Sequence, residues 1–215
     1  MSYLKGEKIH LVKFTDKFIT PKYVCWLNDH DINRYLCTGR FPVAHKDMFA
    51  PNDDRNLMFA IMSNIAINND GSLFKDKDYV HYIGTLSLHD ISWIDRKGEI
   101  GYMIGSKEHW GMGIATEAIG LVTDYAFNRL NLNKVSAGVV DGNIGSSKAL
   151  EKNGFKKYGI VPQDYFLEGK FLDGIRFYKL QGWMQMALWY TRKKEEKEQH
   201  AISLLEERSG GYSVH

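Results

Sequence analysis

The sequence predicts an α+β protein, a mixed and mostly antiparallel central sheet flanked by helices. Three observations predict it. Short segments with strand-like alternation or β-rich apolar runs occupy much of the first half. One long amphipathic segment follows, with Ala115, Ala118, Ile119, Val122, Tyr125, Ala126, Phe127 and Leu130 on one stripe. A strand–helix–strand–helix passage then surrounds that segment, which requires helices on the faces of the sheet.

Taken in order, "EKIHLVKF" alternates around Ile9 and Leu11 and reads as a first strand. "TPKYVCWLNDHDINRYL" begins a helix at Pro21, whose ring fixes φ for a first helical position. Between Cys37 and Asp54, Gly39, Pro42 and Pro51 punctuate a loop. "NLMFAIMS" is a buried strand, and "NNDGSLFKDKD" reads as a long hairpin loop. "YVHYIGTLSLHDI" and "GEIGYMIG" form an antiparallel hairpin around the turn "DRKG". After the long helix come a strand at "NKVSAGVV" and a short helix at "NIGSSKALEKNGF", stopped by Gly154. "FKKYGIV" and "GIRFYKL" close the sheet, and from Trp183 the tail reads as helix. The predicted boundaries are a domain at 1–182 and a helical extension at 183–215.

The 215 residues are enough to bury a core, and a formal net charge of +2 gives no electrostatic footprint for nucleic acid. Two cysteines, Cys25 and Cys37, lack metal-type spacing, so neither a metal site nor a disulfide scaffold is expected. No apolar run reaches the roughly 18 residues of a membrane span. A soluble, cytoplasmic protein without a membrane partner is expected.

Gly111 and Gly113 stand just before the long helix. Glycine weakens a helix start, whereas the free amides there suit an anion. A dinucleotide fingerprint is excluded because Thr116 stands where the third glycine belongs. A Walker loop is excluded because Ile114 and Ala115 occupy the Lys-Ser/Thr positions. A glycine-rich cap with nothing bound remains the plain alternative.

The linked stretches "GEIGYMIG", "WGMGIATEA" and "NIGSSKALEKNGFKKYG" resemble the GNAT superfamily of acetyl-CoA-dependent N-acetyltransferases, in particular its ribosomal-protein, small-amine and amino-sugar branches. The family's pyrophosphate loop opens with Gln or Arg; here Trp110 takes that place, while Met112, Gly113, Ile114 and Ala115 match the rest. The resemblance implies a splayed strand whose peptide groups at Met103, Ile104 and Gly105 pair with the pantetheine arm. It implies a diphosphate on the amides of Gly111 to Thr116. It places Asn143 and Ser146 at the cofactor and brings Lys148, with Lys152, toward its 3′-phosphate. An ordinary solvated helix face is the alternative for both lysines.

The reaction implied is attack of a neutral amine on the thioester of acetyl-CoA, with no metal. Glu99 is the first candidate for general base, followed by His89 and Asp90; a plain surface glutamate is the alternative. Many relatives carry a tyrosine acid where this chain has Leu150, which leaves Tyr165 or Tyr158 as substitutes, or a thiolate that departs unaided. The opening "YVCWLNDHDINRYL" resembles acetyltransferases that act on nucleotide-linked amino sugars, with Asn28, Asn33, Arg34 and Arg40 toward the substrate. In the alternative, these residues only cap a helix. A protein N-terminus or a polyamine is the other acceptor class, and a non-catalytic module that binds a CoA ester is the reading from a different class. The apolar stretch Trp183–Tyr190 is expected either to finish the core or to form a homodimer surface.

Overall fold

The computed structural model describes residues 3–37, 41–44, 53–67, 73–75, 81–182, 191, 193 and 197–200. It falls into two compact units, Met1–Lys179 and Leu180–His215. The first opens with β1 (Leu4–Lys5) and β2 (Ile9–Lys13), where Ile9 and Leu11 are fully buried. Helix α1 (Pro21–Asn28) starts as the sequence predicts, with the Thr20 side chain accepting from the Tyr23 amide at 3.2 Å.

The expected single helix is in fact two. Asp29 adopts an extended conformation (φ −83°, ψ 117°), ends α1, and caps α2 (His30–Asn33) by accepting from the Asp31 amide at 3.0 Å. An aspartate that bonds its own backbone two residues on competes with the helix ladder. Asn33 then donates to the Leu27 carbonyl at 2.7 Å and folds the second helix back on the first.

Strands β3 (Leu57–Ser63), β6 (His81–Ser92) and β7 (Lys97–Ile104) form the centre of the sheet. The stretch read as a long hairpin loop contains β5 (Leu73–Lys75), which pairs with β4 (Ile65–Ile67) just before it. Helix α3 (Ile114–Asn128), β8 (Lys134–Val140), α4 (Ile144–Lys152), β9 (Lys156–Leu167) and β10 (Lys170–Leu180) complete the fold. The eight-stranded order is β1-β2-β3-β6-β7-β8-β10-β9. The last two strands outrun the sequence reading, because β9 is an edge strand and tolerates Pro162.

Pairing is antiparallel from β1 through β7, while β7 and β8 are parallel. Their register covers only Lys97↔Lys134, Gly98↔Val135 and Glu99↔Ser136. Beyond Glu99 the two strands separate, as the splayed pair requires.

One core packs Ile114, Ala118, Ile119, Val122 and Ala126 of α3 against Ile9, Leu11, Phe59, Ile61 and Ile83. The opposite face carries Phe14, Tyr23, Trp26 and Leu27 against Ala60 and Met103. The period-two alternation of Phe59, Ala60 and Ile61 feeds both faces in turn. In the second unit the backbone is helical at 182, 191, 193 and 197–200. Residues 183–190, on which the homodimer expectation rested, lie outside the described residues. Among the described residues, no helix is long and apolar enough to cross a membrane.

Candidate active site

Where β7 and β8 part, a cavity of about 390 Å3 opens, lined on one side by Glu99, Gly101 and Met103 and on the other by Gly138, Val139 and Asn143. Three polar tips converge around Gly138 on its wall. A β-carbon on Gly138 would stand 2.5 Å from Arg176 Nη1, 3.4 Å from Tyr165 Oη and 3.5 Å from Glu99 Oε1. Arg176 is anchored by a 2.7 Å ion pair from Nη2 to Asp164 Oδ2. Burial pushes the Tyr165 hydroxyl above the usual tyrosine range, with the Arg176 guanidinium pulling the other way. Glu99 and Tyr165, both predicted from sequence, are thus brought together.

His89 is the cross-strand partner of Glu99 and shares its face. Its Nε2 lies 3.4 Å from where a β-carbon on Gly101 would stand, and its Nδ1 meets Asp90 Oδ2 at 3.0 Å. Asp90 has φ +51° at a bulge and points away to solvent. Leu150 is buried and lines the cavity, so the expected tyrosine position offers no proton. Tyr158 is exposed and meets Tyr178 edge to face instead.

The strand edge is partly committed. The Gly105 amide donates to Ile83 at 2.9 Å, and the Trp110 indole donates to the Ile104 carbonyl at 2.8 Å. Peptide groups of an antiparallel ladder alternate between its two sides. With Gly105 turned toward β6, Met103 turns that way too, and the peptide groups of Tyr102 and Ile104 face the split. Gly105 itself packs against the Trp26 ring, which a β-carbon would strike.

Beyond the strand, Gly111 (φ +76°) and Gly113 (φ +79°) hold the loop in a left-handed conformation that favours glycine. The first helical bond runs from the Glu117 amide to the Gly113 carbonyl, so the amides of Ile114, Ala115 and Thr116 project from the helix end. A β-carbon on Gly111 would meet nothing within 4 Å, so the face of this cradle is open. Lys8 secures it from the first hairpin: its ammonium donates to the Met112 carbonyl at 2.9 Å, while its amide donates to Glu117 at 3.0 Å. Asn143 caps α4 by accepting from the Ser146 amide at 3.2 Å, and both line the cavity. Lys148 is exposed on α4.

The predicted acceptor residues separate. Asn28 is occupied by the Val43 backbone, with bonds of 2.9 and 3.0 Å. Asn33 and Arg34 border a second pocket of about 110 Å3, which shares Tyr35, Leu36, Val140 and Tyr165 with the first. Arg40 lies outside the described residues. Sequence reading missed Arg176, Lys8 and Tyr35. Only tertiary pairing brings Arg176 to Glu99, and no local pattern marks it.

Among the described residues, no three His, Cys, Asp or Glu side chains group as a metal site. Residues 9–156 match the family model of the acetyltransferase (GNAT) domain. The chain is 45% identical over 92 residues to the probable N-acetyltransferase YjcK of Bacillus subtilis (strain 168), covering 42% of this chain and 50% of that protein. It is 34% identical over 99 residues to a spermidine N(1)-acetyltransferase of Vibrio cholerae, covering 46% and 57%. It thus spans about half the length of these relatives. A crystal structure of the Vibrio cholerae spermidine N-acetyltransferase, in complex with CoA and spermine, shares the fold with a TM-score of 0.65 at 23% identity, covering 82% of this chain and 97% of that one.

Proposed function

The chain belongs to the GNAT acetyltransferase domain family, and from that premise we propose that it is an acetyl-CoA-dependent N-acetyltransferase acting on a primary amine. The observation that carries the reading is the meeting of Glu99, Tyr165 and Arg176 around Gly138, where the strands part. The cofactor fits what is present: a split sheet edge beside an open glycine cradle at a helix N-terminus, which suits a diphosphate.

The thioester of acetyl-CoA supplies the activated acetyl carbonyl. The residues of the chain do the rest. Ile104 and Tyr102 present peptide groups to the split, and Asn143 and Ser146 line its far wall. Glu99 takes a proton from the acceptor ammonium, with His89 opposite as the second base. Tyr165 keeps its proton near neutrality because burial disfavours the phenolate, and it serves as the donor that Leu150 is not.

The acceptor we favour carries a single amine, as an amino sugar does. The nucleotide part of the expected substrate draws no support from Arg34, whose guanidinium is held by Glu168 at 3.1 Å. A polyamine is the second reading, favoured by the names of the Vibrio cholerae and Escherichia coli relatives.

Thiol release from acetyl-CoA over a panel of amines tests the proposal. Glu99→Gln is expected to lower kcat by about 10²- to 10⁴-fold while calorimetry shows acetyl-CoA affinity retained. Binding of acetyl-CoA without thiol release on any amine overturns catalysis and leaves a CoA-ester-binding module.

A further inference from the structure

The second pocket lies directly beside the cavity that holds Glu99, and the two share the Tyr35 and Tyr165 walls. An acceptor whose amine reaches Glu99 through this wall extends its other end into that pocket. The charges around it therefore select what that end carries. A diamine or polyamine needs a carboxylate there for its second ammonium.

Four of the carboxylates nearby are already paired with basic side chains. Both oxygens of Glu168, at the tip of the β9–β10 hairpin, are taken: Oε2 by Arg34 at 3.1 Å and Oε1 by His30 Nε2 at 3.1 Å. Asp29 and Asp31 share the Lys107 ammonium at 3.0 and 2.7 Å. Asp164 holds Arg176. Asp141, just past β8, accepts from the neutral Gly142 amide at 3.0 Å and is not among the residues that line the second pocket. Arg34 also lies over the Tyr35 ring, 5.4 Å from its centroid, which fixes its charge at the pocket wall.

We propose that Arg34 and His30, by holding Glu168, make this a monoamine site that rejects acceptors with a second ammonium. Arg34 and His30 are specificity-determining residues in this scheme. The inference rests on the proposed acetyl transfer to a primary amine. It reverses the acceptor class suggested by the relatives' names, and it does so on charges that can be removed one at a time. Exclusion works here by leaving the second ammonium without a partner and facing a cation.

Pentylamine and 1,5-diaminopentane differ only in a terminal ammonium and form the matched test pair. The native protein is expected to favour pentylamine in kcat/KM by about ten-fold or more. In the double variant His30→Gln with Arg34→Gln, Glu168 is released and the ratio should move about ten-fold toward the diamine. Adding Glu168→Gln to the double variant should abolish that shift, and circular dichroism confirms that all three fold. Because these side chains are exposed, little stability rests on them. A native protein that uses the diamine as well as the monoamine overturns the proposal, as does a double variant with an unchanged ratio.

Calorimetry of both amines with the CoA-bound protein reads the same preference without turnover. Preferential binding of pentylamine with no thiol release would sink the proposed reaction and leave the selectivity standing. Equal binding of the two would sink the selectivity alone.

Discussion

The indole of Trp26 packs against Gly105 so closely that any β-carbon there would strike the ring. Trp26 sits on α1, between the cavity-lining Tyr23 and Leu27, and Gly105 directly follows the strand that leads into the glycine cradle. One contact thus ties α1 to the end of β7. Gly105→Ala should destabilise the fold by about 1–3 kcal/mol, because a packed ring has to move. Urea denaturation measures it, and a stability equal to that of the native protein would show that the contact is slack.

Gly105 also shows where the sequence is legible and where it is not. The glycine was readable as a strand end, but its purpose depends on Trp26, 79 positions earlier. Strands and the long helix were legible because burial imposes period 2 or 3.6 on residues such as Phe59, Ile61, Ala118 and Val122. The break at Asp29 was not, because a run such as "WLNDHDINRYL" satisfies helical spacing on both sides of it. The two glycines ahead of the long helix were visible in the sequence, whereas Glu99 came forward only through the resemblance to a family that carries an acid there. Arg176 stayed hidden, since its meeting with Glu99 is made by the order β7-β8-β10 and by no local pattern.

Gly138 lies between the tips of Arg176, Tyr165 and Glu99, so if these carry the proposed reaction, filling it should harm turnover more than folding. In Gly138→Ala the added methyl meets Arg176 Nη1 first, the far end of a flexible side chain that can swing away. Stability should change by less than about 1 kcal/mol. The value of kcat should fall about ten-fold or more as Arg176 and Tyr165 lose their placing. Steady-state kinetics beside a thermal melt separates the two effects, and an unchanged kcat would count against this point as the reaction centre.

Tyr165 is predicted to act as a proton donor whose own titration stays out of view. Burial is the largest influence and raises its pKa, with Asp164, Cys37 and Glu99 adding to the rise and Arg176 opposing it. A raised pKa keeps the proton on the hydroxyl beyond pH 10.0, the unperturbed value. The kcat profile should therefore show no descending limb from this group between pH 6 and pH 9. Tyr165→Phe should lower kcat about 10²-fold at every pH in that range. A loss confined to alkaline pH would mean that the phenolate, not the phenol, is the working form.

His109 gives stability a pH dependence that lies outside the chemistry. It is buried at 5% exposure, with Nδ1 2.9 Å from Ser106 Oγ, one turn ahead of the glycine cradle. Burial is the main cause that holds its pKa below 6.5, helped by His81 and Lys22, while the Ile65 backbone and Glu108 act the other way. The sign follows from which form the fold prefers. A depressed histidine pKa means that the unfolded chain takes up the proton first, so stability is intact above pH 6.5 and falls as the pH drops toward the folded value. The urea midpoint should therefore decline between pH 7 and pH 5 in the native protein. His109→Phe removes the titrating group and should flatten that decline, even though it lowers the midpoint at pH 7 by leaving the Ser106 hydroxyl without this partner. Parallel slopes in the two proteins would assign the acid sensitivity to carboxylates elsewhere.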